Sequence, residues 1–385
     1  MQNLTDILKN TVIQAAIGST ETQIQQITFD SRRVQPSDVF VAVIGTQVDG
    51  HRYIATAIEK GATAIVCEVL PADLDADVTY VQVADSAMAL GQMADCFYGH
   101  PSAQLHLVGV TGTNGKTTTV TLLHALFTQL GYKAGLLSTI ENKIGQQIQP
   151  ATHTTPDAVA LNAALADMVA AGCSHAFMEV SSHAVDQRRI AGLHFAGGVF
   201  TNITHDHLDY HKTFKAYIEA KKRFFDGLPK TAFALSNLDD RRGTVMLQNS
   251  TAKRRYYSLR RTADFKAKII ENTLMGLLLE INGSEVFTQL IGTFNAYNLL
   301  AVYAVARLMR QDKIETLTAI SSLQSAEGRF DYQIHPQRRI VGIVDYAHTP
   351  DALEKVLSTI DQLKGASTQV ITVVGCGGDR DREKR

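Results

Sequence analysis

The chain has 385 residues, more than one ordinary hydrophobic core organises, so two or three domains are expected. With 45% hydrophobic and 19% charged residues it has a globular composition, and a net charge of -1 excludes the basic excess of a general nucleic-acid binder. Four cysteines (Cys67, Cys96, Cys173, Cys376) form no C-x-x-C pair, which argues against a disulfide framework and a cysteine zinc site. The opening MQNLTDILKN lacks the apolar stretch of a secretory signal, and no run approaches the roughly 18 apolar residues of a membrane helix. A cytoplasmic protein without a membrane span is expected.

DVFVAVIG (38–45) and ATAIVCEV (62–69) read as buried strands, and HRYIATAIEKG (51–61) between them as a helix closed by Gly61. A break follows at YGHPSAQ (98–104). The next block opens with the strand LHLVGVTG (105–112) and a helix over 116–131. AGLLST (134–139), HAFMEV (175–180) and GGVFTNI (197–203) read as further strands, separated by helices such as 157–172 and closed by a helix over 295–310. This alternation predicts an α/β fold with a parallel sheet. A third unit starts with the strand RRIVGIVDYA (338–347), a helix near 350–363 and the strand TQVITVVGCGG (368–378). One helix and two strands fall short of a usual domain, so this unit reads as cut short. An exposed sheet face there would favour poor solubility or dimerisation.

VGVTGTNGKTTTV (108–120) is the most informative stretch. The strict pattern G-x-x-x-x-G-K-[ST] fails, because Val110 stands where its first glycine belongs, but Gly115, Lys116 and Thr117 supply its second half. Glycines between a strand and a helix let backbone N–H groups wrap an anion at the helix N-terminus. Lys116 adds a point charge for phosphates, and the Thr117 hydroxyl is a Mg²⁺ ligand type. ATP or GTP binding is expected. The plain alternative is a glycine-rich turn with one solvated lysine.

GTNGKTT (112–118), HTTPD (153–157), EVSSHA (179–184), TNITHDHLDYH (201–211), EAKKRFFDGL (219–228), GTFNAYNLL (292–300), EGRFD (327–331), DYAHTPDAL (345–353) and GCGGDRD (375–381) occur in this order. Together they resemble the Mur ligase family of cell-wall synthesis, from FDSRRVQPSDVF (29–40) onward. The resemblance implies three domains. Residues 1–100 would be a small α/β domain binding a UDP-sugar, 104–335 a central phosphate-loop ATPase domain with a parallel sheet, and 336–385 the start of an incomplete Rossmann-like domain for an amino acid. It also implies an ATP-dependent acid–amino-acid ligase, in the branch that adds the third amino acid, meso-diaminopimelate or L-lysine, to UDP-N-acetylmuramoyl-L-alanyl-D-glutamate. The full-length enzyme is expected to be monomeric.

Making an amide from a carboxylate requires activation, and phosphorylation by ATP gives an acyl phosphate that an amine attacks. Both steps build negative charge, so cations and metal ions are the expected catalysts. The resemblance assigns Gly112, Thr113, Asn114, Gly115, Lys116, Thr117, Thr118, Asn295, Asn298, Arg329 and Asp345 to ATP. Glu179, at a predicted strand end, becomes a ligand of a Mg²⁺ shared with the ATP phosphates, His207 a ligand of a second Mg²⁺, and Thr117 a further Mg²⁺ ligand. Lys221 becomes one as a carbamate formed from CO2, and Lys116, Glu179, His207 and Lys221 carry catalysis. Phe29, Ser31, Thr46, Gln47, Val48, Thr154, Thr155, Ser182, Gln187 and Arg189 are assigned to the UDP-sugar peptide, and Arg385 to the amino-acid carboxylate. Read without the family, Glu179 caps a helix, Lys221 is a solvated helical lysine, and Asn295 and Thr154 are capping residues. Arg329 and Asp345 are then surface charges. His205 and His211 read as solvated or core histidines. Another Mur-type ligase, a folylpolyglutamate synthase-like enzyme and a non-catalytic nucleotide-binding module are the alternatives.

Overall fold

In a computed structural model, residues 1–46, 48–151, 154–338 and 340–375 are described. The contacts divide the chain into two compact units, one of Met1–Leu107, Thr152–Ser174 and His183–Phe195, the other of Val108–Ala151, His175–Ser182 and Ala196–Arg385. Among the described residues no helix is long and apolar enough to cross a membrane.

The first unit holds a five-stranded sheet of β1 (Ile13–Ile17), β2 (Ile27–Thr28), β3 (Val39–Val41), β4 (Ala64–Cys67) and β5 (Thr79–Val83), in the order β1-β5-β4-β3-β2. All neighbours are parallel except β1 and β5. The strands β3 and β4 are buried along their whole length, as strands covered on both faces must be. The helix expected over 51–61 divides into a 3-10 turn, Gly50–Tyr53, and an α-helix, Ile54–Glu59. Asp49 causes the tight start, because its carboxylate accepts the N–H of His51 and caps the turn.

The second unit is built on an eleven-stranded sheet. Its strands are β6 (His106–Thr111), β7 (Ala134–Leu137), β8 (Glu141–Ile144), β9 (Gln147–Pro150), β10 (His175–Glu179), β11 (Gly197–Phe200), β12 (Phe233–Asn237), β13 (Lys253–Ser258), β14 (Phe265–Thr273), β15 (Gly276–Ile281) and β16 (Ser284–Thr288). Their order is β9-β8-β7-β10-β6-β11-β12-β13-β14-β15-β16, with antiparallel hairpins at both edges. Helix α1 (Lys116–Gln129) carries the chain from β6 to β7 on one side, while β11 lies on the other side of β6. The strand order therefore reverses about β6, and in open α/β sheets ligands bind at the carboxyl ends beside such a reversal. Val108, Val110, Leu123, Phe127 and Phe177 make the core under this point together with helix α3 (Thr293–Leu308); α2 (Phe214–Asp226) lies between β11 and β12 in the chain.

Beyond the sheet, β17 (Asp331–His335) pairs antiparallel with β18 (Ile340–Val344), and α4 (Pro350–Leu363) follows. The strand expected over 368–378 does not form in its described part, residues 368–375. A strand exists through a neighbour's hydrogen bonds, and Ile371 and Val373 stand exposed instead of covering a sheet. The GGVFTNI strand likewise ends at Phe200; the Thr201 N–H still reaches Thr111 at the end of β6, and the Asn202 carbonyl already accepts the Thr113 N–H of the loop beyond it.

Candidate active site

Five pieces of the second unit converge at the carboxyl ends of adjacent parallel strands. The loop Gly112–Gly115 follows β6, Glu179 ends β10, Ser138 and Thr139 follow β7, Thr201–His207 follow β11, and Asp239 follows β12. Gly115 takes φ +86° as it turns into α1, a value that favours glycine. Thr117, in the first turn of α1, donates its hydroxyl to Glu179 Oε1 at 2.9 Å and accepts Arg329 Nη2 at 3.1 Å. The same Glu179 oxygen accepts the Thr139 N–H at 2.7 Å. Glu179 is thus held at the loop rather than at a helix cap.

Lys116 folds back, donating to the carbonyls of Gly112 at 3.0 Å and Thr113 at 2.9 Å. Burial pushes its amine below the usual lysine range, and Glu179 and Asp206 oppose that shift. Lys221 donates to the same Gly112 carbonyl at 2.9 Å and lies over the Tyr217 ring. With 1% of its surface exposed, it overturns the solvated reading. Burial holds its amine well below the ordinary value, and the charge of Lys116 adds to the effect. Helix geometry explains the placement. Tyr217, Ala220, Lys221, Phe224 and Phe225 recur at the three-and-four spacing of one helix face, all buried. Lys222 points elsewhere, into an ion pair with Asp226.

His207, with φ +54°, starts the short helix Leu208–His211 and takes an N–H bond to Asp206. Its ring meets Tyr217 edge-on, and the Tyr217 hydroxyl lies 3.1 Å from Thr113 Oγ1. His211 is buried against Ser182 Oγ at 2.9 Å, while His205 is exposed and stacks on Phe214. Asn295 and Asn298 sit together in α3, joined at 3.1 Å; Gly292 is the N-cap residue, so Asn295 does not cap that helix. A Cβ at Gly115 would come 2.7 Å from Asn298 Oδ1, which places the asparagine pair beside the loop. Thr118 is buried in α1. Asp345 braces the turn around Arg329, accepting the N–H groups of Phe330 and Ala347 at 2.7 Å. Asn114 Nδ2 donates to Asp351 in the first turn of α4 at 2.9 Å.

In the first unit, Arg189 donates to the Thr155 carbonyl at 2.7 Å and to the Gln187 side chain, tying three of the substrate candidates together. Thr154 is next to them in the chain, and Asp157 rather than Thr154 caps the following helix. Phe29 and Ser31 follow β2, and Thr46 and Val48 follow β3. Since β2 and β3 are adjacent and parallel, these two loops leave the same edge of that sheet. Gln47 and Arg385 lie outside the described residues, as do His153, Cys376 and most of GCGGDRD.

A Mur ligase middle-domain profile matches residues 110–306, a Mur ligase catalytic-domain profile 23–98 and a Mur ligase glutamate ligase-domain profile 328–385. The chain belongs to the Mur ligase family. A protein of Cytophaga hutchinsonii named UDP-N-acetylmuramoyl-L-alanyl-D-glutamate--2,6-diaminopimelate ligase is 60% identical over 381 residues, covering 99% of this Mur ligase and 78% of that relative. One of the same name from Phocaeicola vulgatus is 54% identical, over 99% of the chain and 79% of the relative. A solved structure of a UDP-N-acetylmuramoyl-L-alanyl-D-glutamate--2,6-diaminopimelate ligase superposes with a TM-score of 0.81 at 30% identity, over 100% of the chain and 78% of its own. A Thermotoga maritima MurF ligase in complex with ADP shares the fold, with a TM-score of 0.59 at 21% identity, over 89% of the chain and 76% of its own.

The donor set of this Mur ligase fits a hard cation. Thr117 and Glu179 bring oxygen ligands together at the head of the loop, and among the described residues no three His, Cys, Asp or Glu side chains gather as a protein-only cage. Mg²⁺ characteristically takes one or two protein oxygens and completes its shell from substrate phosphates and water. Thr139, Asp206, Tyr217 and Asp351 escape the sequence reading. The signal for Tyr217 was the helical spacing that also carries Lys221; the others contact the site only through the fold.

Proposed function

We propose that the chain is an ATP-dependent amide ligase that joins 2,6-diaminopimelate to UDP-N-acetylmuramoyl-L-alanyl-D-glutamate in cytoplasmic peptidoglycan synthesis. The observation that carries this reading is the convergence of Lys116, Thr117, Glu179 and Lys221 on one phosphate loop. The names of relatives up to 60% identical support the substrate. In this reading residues 1–100 hold the UDP-sugar, 104–335 hold ATP, and 336–385 belong to the amino-acid domain.

The N–H groups at the start of α1 and the Lys116 ammonium hold the ATP phosphates, and the Arg329 guanidinium beside Thr117 reaches the same charge. The asparagine pair Asn295 and Asn298 meets the nucleotide from α3, and Asp345 sets the turn that carries Arg329. Thr155, Gln187 and Arg189 orient the muramoyl peptide, with Ser182 and the loops at Phe29, Ser31, Thr46 and Val48 completing the sugar nucleotide contacts. The D-glutamate carboxylate attacks the γ-phosphorus and ADP leaves. The amine of diaminopimelate then attacks the acyl phosphate carbon, and inorganic phosphate departs. Thr117 and Glu179 would hold one Mg²⁺ beside the phosphates and His207 a second, with a Lys221 carbamate as a further anionic oxygen ligand, and these ions would supply charge neutralisation on the phosphates. Burial favours the neutral form of the Lys221 amine, the form that combines with CO2.

The test incubates the chain with Mg-ATP and the UDP-dipeptide, with diaminopimelate or lysine added separately, and follows ADP release and product mass. A tripeptide product with diaminopimelate alone is expected. A product with lysine instead overturns the specificity, and tight sugar binding without ADP release overturns the ligase reading. Intact mass measured in bicarbonate, on Lys221→Met beside the native chain, reads the carbamate: one CO2 added to the native chain only.

A further inference from the structure

We propose that Asn202 is a positioning residue for nucleotide binding, the side chain that decides which N–H groups of the phosphate loop face the phosphates. The proposal rests on the ligase reading for its kinetic consequence, and on geometry for the rest. Asn202 follows β11, and its side-chain amide pairs with both ends of one loop residue. Its Oδ1 accepts the Asn114 N–H at 3.0 Å, and its Nδ2 donates to the Asn114 carbonyl at 3.0 Å. Because a backbone N–H only donates and a carbonyl only accepts, the amide can sit in one orientation alone. Its own carbonyl accepts the Thr113 N–H at 2.8 Å. Asn202 therefore does for Thr113 and Asn114 what a neighbouring strand does for a sheet edge, at a point where the sheet has already ended.

The surroundings reinforce the clamp. Thr201 Oγ1 donates to the same Asn114 carbonyl at 2.7 Å, and the Thr204 N–H donates to Thr113 Oγ1 at 3.0 Å. Asn237, at the end of β12, fixes the Thr201 carbonyl at 2.9 Å, so the clamp is anchored in the sheet. Gly112 is required opposite it, since any Cβ there would collide with Thr201 Oγ1. With the N–H groups of Thr113 and Asn114 given to Asn202, the phosphates are met by those of Gly115, Lys116 and Thr117 at the start of α1. Only asparagine supplies this pairing. Aspartate keeps the acceptor but turns a second negative oxygen toward the Asn114 carbonyl, and glutamine is one methylene too long.

The test measures the dissociation constant of a fluorescent ATP analogue, thermal stability, and the Michaelis constants for ATP and the UDP-dipeptide in the full chain, Asn202→Ala and Asn202→Asp. Expected for Asn202→Ala is a rise in nucleotide dissociation constant of about tenfold or more, with the UDP-dipeptide KM unchanged. Asn202→Asp should fall between alanine and the native chain, and it carries the test if the alanine variant does not fold. Nucleotide binding within twofold of native in a folded variant overturns the proposal. So does an equal weakening of both substrates together with a fallen melting temperature, the mark of a merely structural role. Because nucleotide binding is read apart from product formation, a native chain that binds the analogue but makes no product refutes the ligase reading and leaves the clamp testable.

Discussion

Lys221 concentrates the tension between stability and function at the scale of one residue. Its amine is buried between the loop carbonyl of Gly112 and the Tyr217 ring, with a second lysine nearby. The unfolded chain keeps that proton up to about pH 10.4, whereas the folded chain releases it at lower pH. Folding stability therefore rises with pH between the depressed folded value and the unfolded one, and below that window the full cost of burying the charge is present. In CO2-free buffer at pH 7, Lys221→Met should raise the melting temperature by roughly 2–6 °C while abolishing ligation, and the gain should shrink toward pH 10. A melting temperature that falls at every pH would mean that the amine stabilises the fold. Glu179→Gln keeps the shape and the contact to Thr117 but removes a charge, and kcat should drop about 100-fold or more in ADP-release assays with the UDP-dipeptide KM little changed. Lys221 was partly legible. Read alone it is a solvated lysine, yet it occupies a position on the stripe formed by Tyr217, Ala220, Phe224 and Phe225, where a hydrophobe would be expected.

At the scale of elements, the phosphate loop is held closely by its neighbours. Gly115 has φ +86°, and a Cβ there would also crowd Asn298. Gly115→Ala should cost about 1–3 kcal/mol of stability in denaturant unfolding and weaken nucleotide binding at least tenfold. An unfolding midpoint equal to native would show that the loop can re-form without the left-handed turn. The strands β6, β7, β10 and β11 and the helices α1, α3 and α4 were legible to within a few residues, since apolar runs and helical spacing are local signals. The strand at 368–375 shows the limit of that signal. Its apolar residues have strand character, but pairing is a property of two segments, and among the described residues no ladder forms there.

For the whole molecule, two compact units with separate cores predict unfolding that departs from a single two-state transition. A non-hydrolysable ATP analogue at about 100 times its dissociation constant should stabilise the second unit by about 2.7 kcal/mol, and the UDP-dipeptide should act first on the unit that holds Thr155, Gln187 and Arg189. Calorimetry reads this as separate shifts. One transition moved equally by either ligand would refute it. By itself the sequence determined the α/β class, the phosphate loop with its lysine and threonine, and the family to which the ordered motifs belong, because each of these is written in short contiguous stretches. The tertiary structure alone decided that Lys221 and Lys116 share the Gly112 carbonyl, that Thr139 and Thr117 hold one oxygen of Glu179, and that Asn202 pairs with Asn114. Apart from Lys116 and Gly112 these groups stand far apart along the chain, and they meet because neighbouring parallel strands end at one edge of one sheet and α2 brings Lys221 to the loop there, an order that no local pattern encodes.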